Sequence, residues 1–202
     1  MPGATTSSSR NVNILAGGKD IWETRDEFHF ACAKVLGDFE LSVRLASLTM
    51  ADVYTKAGLM LRASLAEGAE HAFLLAFGDN QPRNKNNGGL EFQSREALHG
   101  PCTAVYPPQP LRLQPDFPVK FPLVWLKLVR DGHTITGQCS QDGEEWRTYC
   151  VHEQPLPRTA YLGLAVTSHN SDKTVRAIFD QLVFRGEILR PNGSDGTSYP
   201  SR

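Results

Sequence analysis

Short runs in which apolar and polar residues alternate recur along this chain, and turn residues separate them. Examples are "KAGLMLR" (56–62), "LEFQSR" (90–95) and "YLGLAVT" (161–167). Alternation with a period of two is typical of a half-buried β-strand, and no stretch of the sequence shows a sustained helical period. Asp-Gly pairs at 131–132 and 142–143 lie between such runs and predict hairpin turns. The pattern therefore predicts an all-β fold, a jelly-roll sandwich of two antiparallel sheets.

Turn residues also divide the rest of the sequence into strands and connections. We predict that a turn at Gly37-Asp38 separates the strands "EFHFACAKV" and "FELSVRLASL". A polar loop is predicted in "GDNQPRNKNNGG" (78–89). A long Pro-rich insertion, residues 100–122, leads to the strand "LVWLKLVR". We hypothesise that this insertion forms a lid or wall over one face of the sandwich.

The composition indicates one domain with two tails. The chain has 202 residues, of which 40% are hydrophobic and 21% are charged, as in ordinary soluble globular proteins. Small polar residues dominate the start of the chain, and Gly, Ser and Pro dominate its end. We predict a flexible N-terminus at 1–10, a β-sandwich at 11–186 and a flexible tail at 187–202.

Charge and cysteine usage argue against several classes of partner. The net charge is −1, so we expect no binding to nucleic acid or to an anionic membrane. The chain starts without the apolar segment of a secretory signal, and its four cysteines are far apart with no C-x-x-C pair. We therefore expect free thiols and a cytoplasmic location. The histidine spacing fits no metal site and the glycine pattern fits no nucleotide site, so we expect no metal and no cofactor.

Four predicted strands have one apolar face and one mixed face: "KAGLMLR", "LEFQSR", "VWLKLV" and "LGLAVTSH". If they share a sheet, their mixed faces form one groove with Gly58, Gly163 and Ala165 as its floor. An aromatic platform with hydrogen-bonding groups on a rigid sheet suits a sugar. The candidate ligand-binding residues are Lys56, Arg62, Glu91, Gln93, Arg95, Trp125, Lys127 and His169. The alternative is that this face is the ordinary solvated side of an antiparallel sheet.

The cations in this candidate set would lie close together with Glu91 as the only carboxylate among them. Like charges on neighbouring strands repel, so the arrangement requires an anion or further carboxylates between them. In "TSHN" (167–170), His169 shares the mixed face, Ser168 is a hydrogen-bonding residue at a strand end, and Asn170 belongs to the following turn.

The segment "DIWETRDEFHF" (20–30) is interpreted as structural. We expect Trp22 and Phe28 to lie in the core. We expect Asp20 and Asp26 to cap turns or to pair with Arg25.

Several motifs resemble the regulation-of-enolase family of concanavalin A-like lectin/glucanase domains. They are "GGKDIWETRDEFHF" (17–30), "GDFELSVRL" (37–45), "KAGLMLR" (56–62), "WLKLVRDGHTITGQCSQDGEEW" (125–146) and "YLGLAVTSHN" (161–170). The resemblance covers about residues 11–185 and implies a jelly roll with a concave face that in the wider superfamily often binds or cleaves carbohydrate. It also implies regulation of a metabolic enzyme, and it assigns no catalytic residues. The insertion before Trp125 departs from the family pattern.

We expect non-catalytic binding of a carbohydrate or of an anionic sugar-like metabolite such as a sugar phosphate. Trp125 would stack on a sugar ring, and the four cations of the groove would meet hydroxyl, carboxylate or phosphate groups. Glycoside hydrolysis requires two carboxylates about 5 to 9 Å apart, and the groove offers only Glu91. Two alternatives stay open. One is a protein-interaction regulator of a metabolic enzyme, and the other is a carbohydrate-active enzyme that uses Glu91 and His169 as acid and base.

Overall fold

The computed structural model describes residues 3–105 and 119–190, except for the side chains of residues 86 and 87. In this part of the chain no helix is long and apolar enough to cross a membrane. The elements are β1 (Ala4–Ser7), β2 (Asn11–Gly18), β3 (Ile21–Trp22), β4 (Arg25–Asp26), β5 (His29–Leu48), β6 (Lys56–Arg62), β7 (His71–Phe77), α1 (Gln81–Asn87), β8 (Leu90–Arg95), β9 (Cys102–Val105), β10 (Trp125–Asp131), β11 (Thr134–Ser140), β12 (Arg147–Glu153), β13 (Thr159–Thr167) and β14 (Asn170–Ile188).

The strands form two packed layers of antiparallel strands, as predicted. The front layer has the order β5-β13-β6-β7-β8-β9. The back layer has the order β1-β2-β14-β5-β10-β11-β12. Both Asp-Gly turns join hairpin partners, β10 with β11 and β11 with β12, which confirms those two predictions. The fold is therefore an all-β jelly-roll sandwich.

Strand β5 belongs to both layers. Its residues 29–36 pair with β13 in the front layer, and its residues 39–44 pair with β10 in the back layer. The prediction that a turn at Gly37-Asp38 separates two strands is wrong, because the chain continues there as one strand of 20 residues. Gly37 has φ 72°, a conformation that glycine adopts without steric cost, so the turn signal marks the crossing between layers.

The main core lies between the two layers and follows the predicted alternation. Leu59, Leu74, Phe92 and Leu164 point inward from the front layer, and Val43, Leu126, Ile135 and Phe179 point inward from the back layer. Each of these side chains is almost completely buried. Burial of this apolar surface is the main source of stability for a sandwich of this kind.

Three predicted segments outside the core strands differ from the structure: one loop, the N-terminus and the end of the domain. The polar loop at 78–89 contains α1, which has no apolar period and is stabilised at its ends by the side chain of Asn80 and by Gly88 at φ 70°. Residues 4–7 of the predicted flexible N-terminus form β1, because their backbone pairs with β2. Strand β14 extends to Ile188, two residues beyond the predicted end of the domain. Most of the Pro-rich insertion, residues 106–118, lies outside the described residues, and so does the tail from 191 onward.

Candidate functional site

The outer face of the front layer is covered by the segment 19–28, which contains the β3–β4 hairpin. Ile21 pairs with Asp26 and Trp22 pairs with Arg25 in this hairpin. A second apolar cluster fills the space beneath the segment, and Phe28 and Phe30 pack against it. Its members are Ile21, Met60, Phe73, Leu75, Phe77 and Ala165. The predicted open groove on this face is therefore occupied by the chain itself.

The predicted glycine floor also serves a different purpose. A Cβ atom on Gly163 would collide with the backbone carbonyl oxygen of Ala31 on β5, and one on Gly58 would collide with that of Leu74 on β7. These glycines allow neighbouring backbones to approach closely, so they do not leave room for a ligand.

Asp26 lies at the centre of a buried ionic cluster on this face. Its carboxylate accepts hydrogen bonds from Nη1 of Arg62 at 2.6 Å and from Nη1 and Nη2 of Arg95 at 2.6 and 2.7 Å. Burial alone would raise the pKa of the Asp26 carboxyl, but the hydrogen bonds that Arg95 and Arg62 donate and the charge of Arg62 act against burial, and the pKa is lowered. The expectation that Asp26 caps a turn or pairs with Arg25 is wrong, since Arg25 pairs with Glu67 at the surface.

His71 is the neutral member of this cluster. Its Nδ1 lies 3.8 Å from Oδ2 of Asp26, and its Nε2 lies 3.7 Å from Sγ of Cys102. Complete burial, aided by the charges of Arg95 and Arg62, lowers the pKa of His71 to about 3. Burial also raises the pKa of the Cys102 thiol to about 12, so this His–Cys contact contains neither an imidazolium nor a thiolate at neutral pH.

A second ionic group lies where β6 begins and β13 ends. Nζ of Lys56, which is buried, contacts Oδ1 of Asp20 at 2.8 Å. The two ring nitrogens of His169 each lie 3.2 Å from a carboxylate oxygen, Nε2 from Asp20 and Nδ1 from Asp52. The ring of Tyr54 lies 5.1 Å from that of His169. These contacts fix the His169 ring at the edge of the front layer, beside the hairpin.

The buried cations hold the backbone of the hairpin as well as its carboxylates. Nη2 of Arg95 donates to the carbonyl oxygens of Trp22 and Glu23 at 3.2 and 3.0 Å. Nζ of Lys56 donates to the carbonyl oxygen of Ile21 at 3.3 Å. Three of the sequence-predicted residues, Lys56, Arg62 and Arg95, are thus brought together, and they anchor the segment that covers them.

A polar cleft of about 700 Å³ lies beside this anchored hairpin. Its walls are formed by residues 19, 20, 22–25, 27 and 169–172. Trp22 lines the cleft and is 36% exposed, so the expectation that it belongs to the core is wrong. Its indole lies on a two-residue strand whose outer side faces solvent, while Ile21 fills the inner side. Glu23 and His169, both lining residues, have positive φ angles of 46° and 54°, a strained conformation that is common at ligand sites.

Trp125 and Lys127 do not lie with the other candidates. Strand β10 pairs with the second half of β5, which places it in the back layer, and the assumption that all four mixed strands share a sheet is wrong. Trp125 is 8% exposed. The guanidinium carbon of Arg44 lies over its indole ring, 5.2 Å from the ring centre. Nζ of Lys127 lies 4.0 Å from the Trp146 ring. Alternation defines the two faces of a strand, but it does not say which layer contains the strand.

Glu91 and Gln93 are buried on the mixed face of β8. Nε2 of Gln93 donates to Oε1 of Glu91 at 2.6 Å. In the strand register Glu91 pairs with Leu75, Leu75 with Gly58 and Gly58 with Ala165. Three strand spacings, about 14 Å, therefore separate the backbone of Glu91 from β13, and His169 lies four residues farther along. This separation does not suit Glu91 and His169 as an acid and base acting across one bond.

Sequence reasoning missed Trp22, Asp52 and Tyr54 as neighbours of His169. The two-residue strands of the hairpin are too short to show a period, so Trp22 carried no pattern that distinguished exposure from burial. One signal was present: the crowded cations required carboxylates between them, and Asp20 and Asp26 are those carboxylates. Ser168 was interpreted correctly, since its hydroxyl lies within hydrogen-bonding distance of the carbonyl oxygens of Gly18 and Asn170 at the end of β13.

The geometry of both layers can be compared with that of known proteins. A protein of unknown function from Saccharomyces cerevisiae has a TM-score of 0.68 and 14% identity, with 96% of this chain and 95% of that chain covered. The carbohydrate binding module CBM66 from Bacillus subtilis has a TM-score of 0.56 and 14% identity, with 92% of each chain covered. The fold is the concanavalin A-like jelly roll.

A third similar structure belongs to a larger protein. It is a mutant of the GH43 protein BlXynB from Bacillus licheniformis, with a TM-score of 0.59 and 14% identity. This chain covers 33% of that protein, and 87% of this chain is matched. No family model matches the chain, and no curated protein matches it either. The resemblance to the regulation-of-enolase family therefore stays a prediction, while the jelly-roll fold is established.

Proposed function

We propose that this protein binds a carbohydrate without catalysis, and that the ligand lies in the cleft beside Trp22 and His169. The proposal rests on one observation: the indole of Trp22 is exposed and lines a polar cleft, and the backbone of Trp22 is anchored by a hydrogen bond. Arg95 anchors the carbonyl oxygen of Trp22 from below, so the aromatic ring is presented on a rigid support. An aromatic face flanked by hydrogen-bonding groups suits the apolar face and the hydroxyl groups of a sugar ring.

The similar carbohydrate binding module supports this proposal through the fold, and the cleft supports it through chemistry. Trp125 and Lys127, proposed from the sequence, lie on the other layer and define a separate candidate surface. A ligand in the cleft predicts that glycan binding is lost when Trp22 is replaced, whereas a ligand on the back layer predicts that binding is lost when a residue of that layer is replaced. Measuring glycan binding by both variants therefore distinguishes the two surfaces.

A glycan array with the full chain identifies the ligand, and calorimetric titration of the best glycan measures its affinity. We expect Trp22→Ala to weaken binding by about 2 kcal/mol, roughly thirtyfold, as for an aromatic anchor at the centre of a site. The matched control is Trp146→Ala, because Trp146 is also partly exposed but lies next to Lys127 in the back layer. Loss of binding in the control with full binding by Trp22→Ala would move the site to the back layer. An array without any bound glycan would refute carbohydrate binding.

The competing proposal is regulation of a metabolic enzyme of the enolase type in the cytoplasm. Its expected feature is an exposed apolar surface around Trp125. Among the described residues Trp125 is buried, and the guanidinium of Arg44 lies over its ring. The cytoplasmic location is part of this alternative, and it rests on the cysteine spacing of the sequence. Co-purification of a metabolic enzyme, lost on Trp125→Ala and kept on Trp22→Ala, would favour this alternative.

A further inference from the structure

The cations around the candidate cleft are already engaged by carboxylates of the same chain. Lys56 contacts Asp20 at 2.8 Å, and Arg62 and Arg95 both contact Asp26 at 2.6 Å. Arg25, at the rim, contacts Glu67 at 3.0 Å. An anionic ligand could bind these cations only by displacing a carboxylate. In addition, Lys56, Arg62 and Arg95 are buried beneath the hairpin. Breaking such buried pairs costs several kcal/mol.

The lining of the cleft is rich in hydrogen-bond acceptors. The carboxylates of Glu23, Glu27 and Asp172 are exposed and, within the described residues, form no ion pair or side-chain hydrogen bond. Lys19 is the lining cation that has no such partner within the same residues. Both ring nitrogens of His169 face Asp20 and Asp52. Among the described residues, three unpaired negative charges and one unpaired positive charge therefore line the cleft that Trp22 also lines.

We infer that this cleft selects carbohydrates that carry no acidic group, and that it favours those with an amino group. The inference rests on the proposed function and adds the chemical class of its ligand. Sugar hydroxyl groups donate hydrogen bonds to carboxylates, and an ammonium group on the ring adds a charge-assisted bond. A uronate, sulfate or phosphate group brings a like charge next to Glu23, Glu27 and Asp172. Like-charge contacts at a binding surface act against the wrong partner.

The array that tests the proposed function also tests this inference when it carries neutral, amino-bearing and acidic oligosaccharides. We expect the bound glycans to be neutral or amino-bearing. If the bound glycans are all acidic, the inference is overturned and carbohydrate binding stands. If no glycan binds, the proposed function fails first and the inference falls with it.

Titrations with a matched series make the test quantitative. Suitable probes are β-1,4-linked oligosaccharides of glucose, glucosamine and glucuronic acid, or the corresponding series built on the best glycan of the array. We expect the acidic member to bind at least about tenfold more weakly than the neutral one at low salt, and the difference to shrink at high salt. Equal affinity for the acidic and neutral members at low salt overturns the inference.

The combined variant Glu23→Gln, Glu27→Gln and Asp172→Asn removes the negative charge and keeps the shape of the cleft. All three side chains are exposed, so we expect the variant to fold with unchanged stability. It should gain affinity for the glucuronic acid oligosaccharide and lose the preference for glucosamine. The control is Glu153→Gln, an exposed carboxylate at the end of β12, which should leave the ranking unchanged. If the combined variant keeps the same order of affinities for the neutral, amino-bearing and acidic oligosaccharides, the inference is contradicted.

Discussion

Arg95 donates two parallel hydrogen bonds of 2.6 and 2.7 Å to the carboxylate of Asp26, and neither side chain is exposed to solvent. One residue comes from β8 and the other from the hairpin that covers the front layer. The same guanidinium donates to the backbone of Trp22 and Glu23. This single buried contact therefore connects the stability of the sandwich with the position of the candidate cleft.

Asp26→Ala should be among the most destabilising substitutions in the chain. It leaves the positive charges of Arg62 and Arg95 buried without the carboxylate that compensates them, which typically costs about 3 to 5 kcal/mol. The free energy of unfolding from urea titration measures the effect. Glu67→Ala is the matched control, because it breaks an exposed ion pair with Arg25 and should cost no more than about 1 kcal/mol. Equal losses in the two variants would show that the buried cluster contributes no more than a surface pair.

His71 should make the protein less stable in mild acid. Its pKa falls from 6.5 in the unfolded chain to about 3 in the folded protein, so the unfolded state binds a proton first as the pH falls. The stabilisation is complete above pH 6.5 and is lost progressively as the pH drops toward 3. Each pKa unit corresponds to about 1.4 kcal/mol, so the loss between pH 7 and pH 4 is roughly 3 kcal/mol.

Urea titrations at several pH values measure this slope. The lowered pKa of Asp26 acts in the same direction but only near and below pH 3.8, so it leaves the higher range to the histidines. A His71→Gln variant should lose most of the slope between pH 6.5 and pH 4, whatever its own stability. A slope that persists in the variant would assign the effect to another group.

Gly163→Ala should destabilise the front layer. The new Cβ atom would meet the carbonyl oxygen of Ala31 and the Cα atom of Cys32 in the neighbouring strand, and a backbone contact has little freedom to give way. We expect a loss at the upper end of the range for overpacking, about 3 kcal/mol. Gly137→Ala is the control, because its Cβ would lie 3.3 Å from the side chains of Leu74 and Phe92, which can adjust. Thermal unfolding of both variants should rank Gly163→Ala well below Gly137→Ala.

The four thiols should differ sharply in reactivity. Cys32 is exposed, whereas Cys102, Cys139 and Cys150 are buried and burial raises the pKa of each to about 12. A chromogenic disulfide reagent should therefore modify Cys32 in the native protein and the other three only after denaturation. The Cys32→Ser variant should show no fast reaction. Rapid native modification of a second thiol would contradict the burial of these side chains.

The fold was predictable because its determinants are local and repeated. Alternation with a period of two marked the strands, and Asp131-Gly132 and Asp142-Gly143 marked two hairpins that the structure contains. Local patterns failed where the chain changes layer. Gly37-Asp38 has the composition of a turn, yet strand pairing continues on both sides of it, and the pairing partners lie more than 80 residues away in sequence.

The candidate site was only half predictable for the same reason. Lys56, Arg62 and Arg95 were grouped correctly, since strand alternation and register are regular there. Trp125 was grouped with them wrongly, because its layer is decided by long-range pairing with β5. Trp22 lies in a hairpin whose position depends on ionic contacts with distant strands, and no local period encodes such contacts.

Strand β5 also sets the order in which the sandwich can be completed. Its front half needs β13 between itself and β6, and its back half needs β14 between itself and β2. These two central neighbours are the last strands of the described chain to be synthesised. A ribosome-bound chain therefore exposes the open flanks of β5 and β6 until β13 emerges, and those of β5 and β2 until β14 follows, so the back layer closes last. Loss of these two C-terminal strands would remove a central neighbour of β5 from each layer.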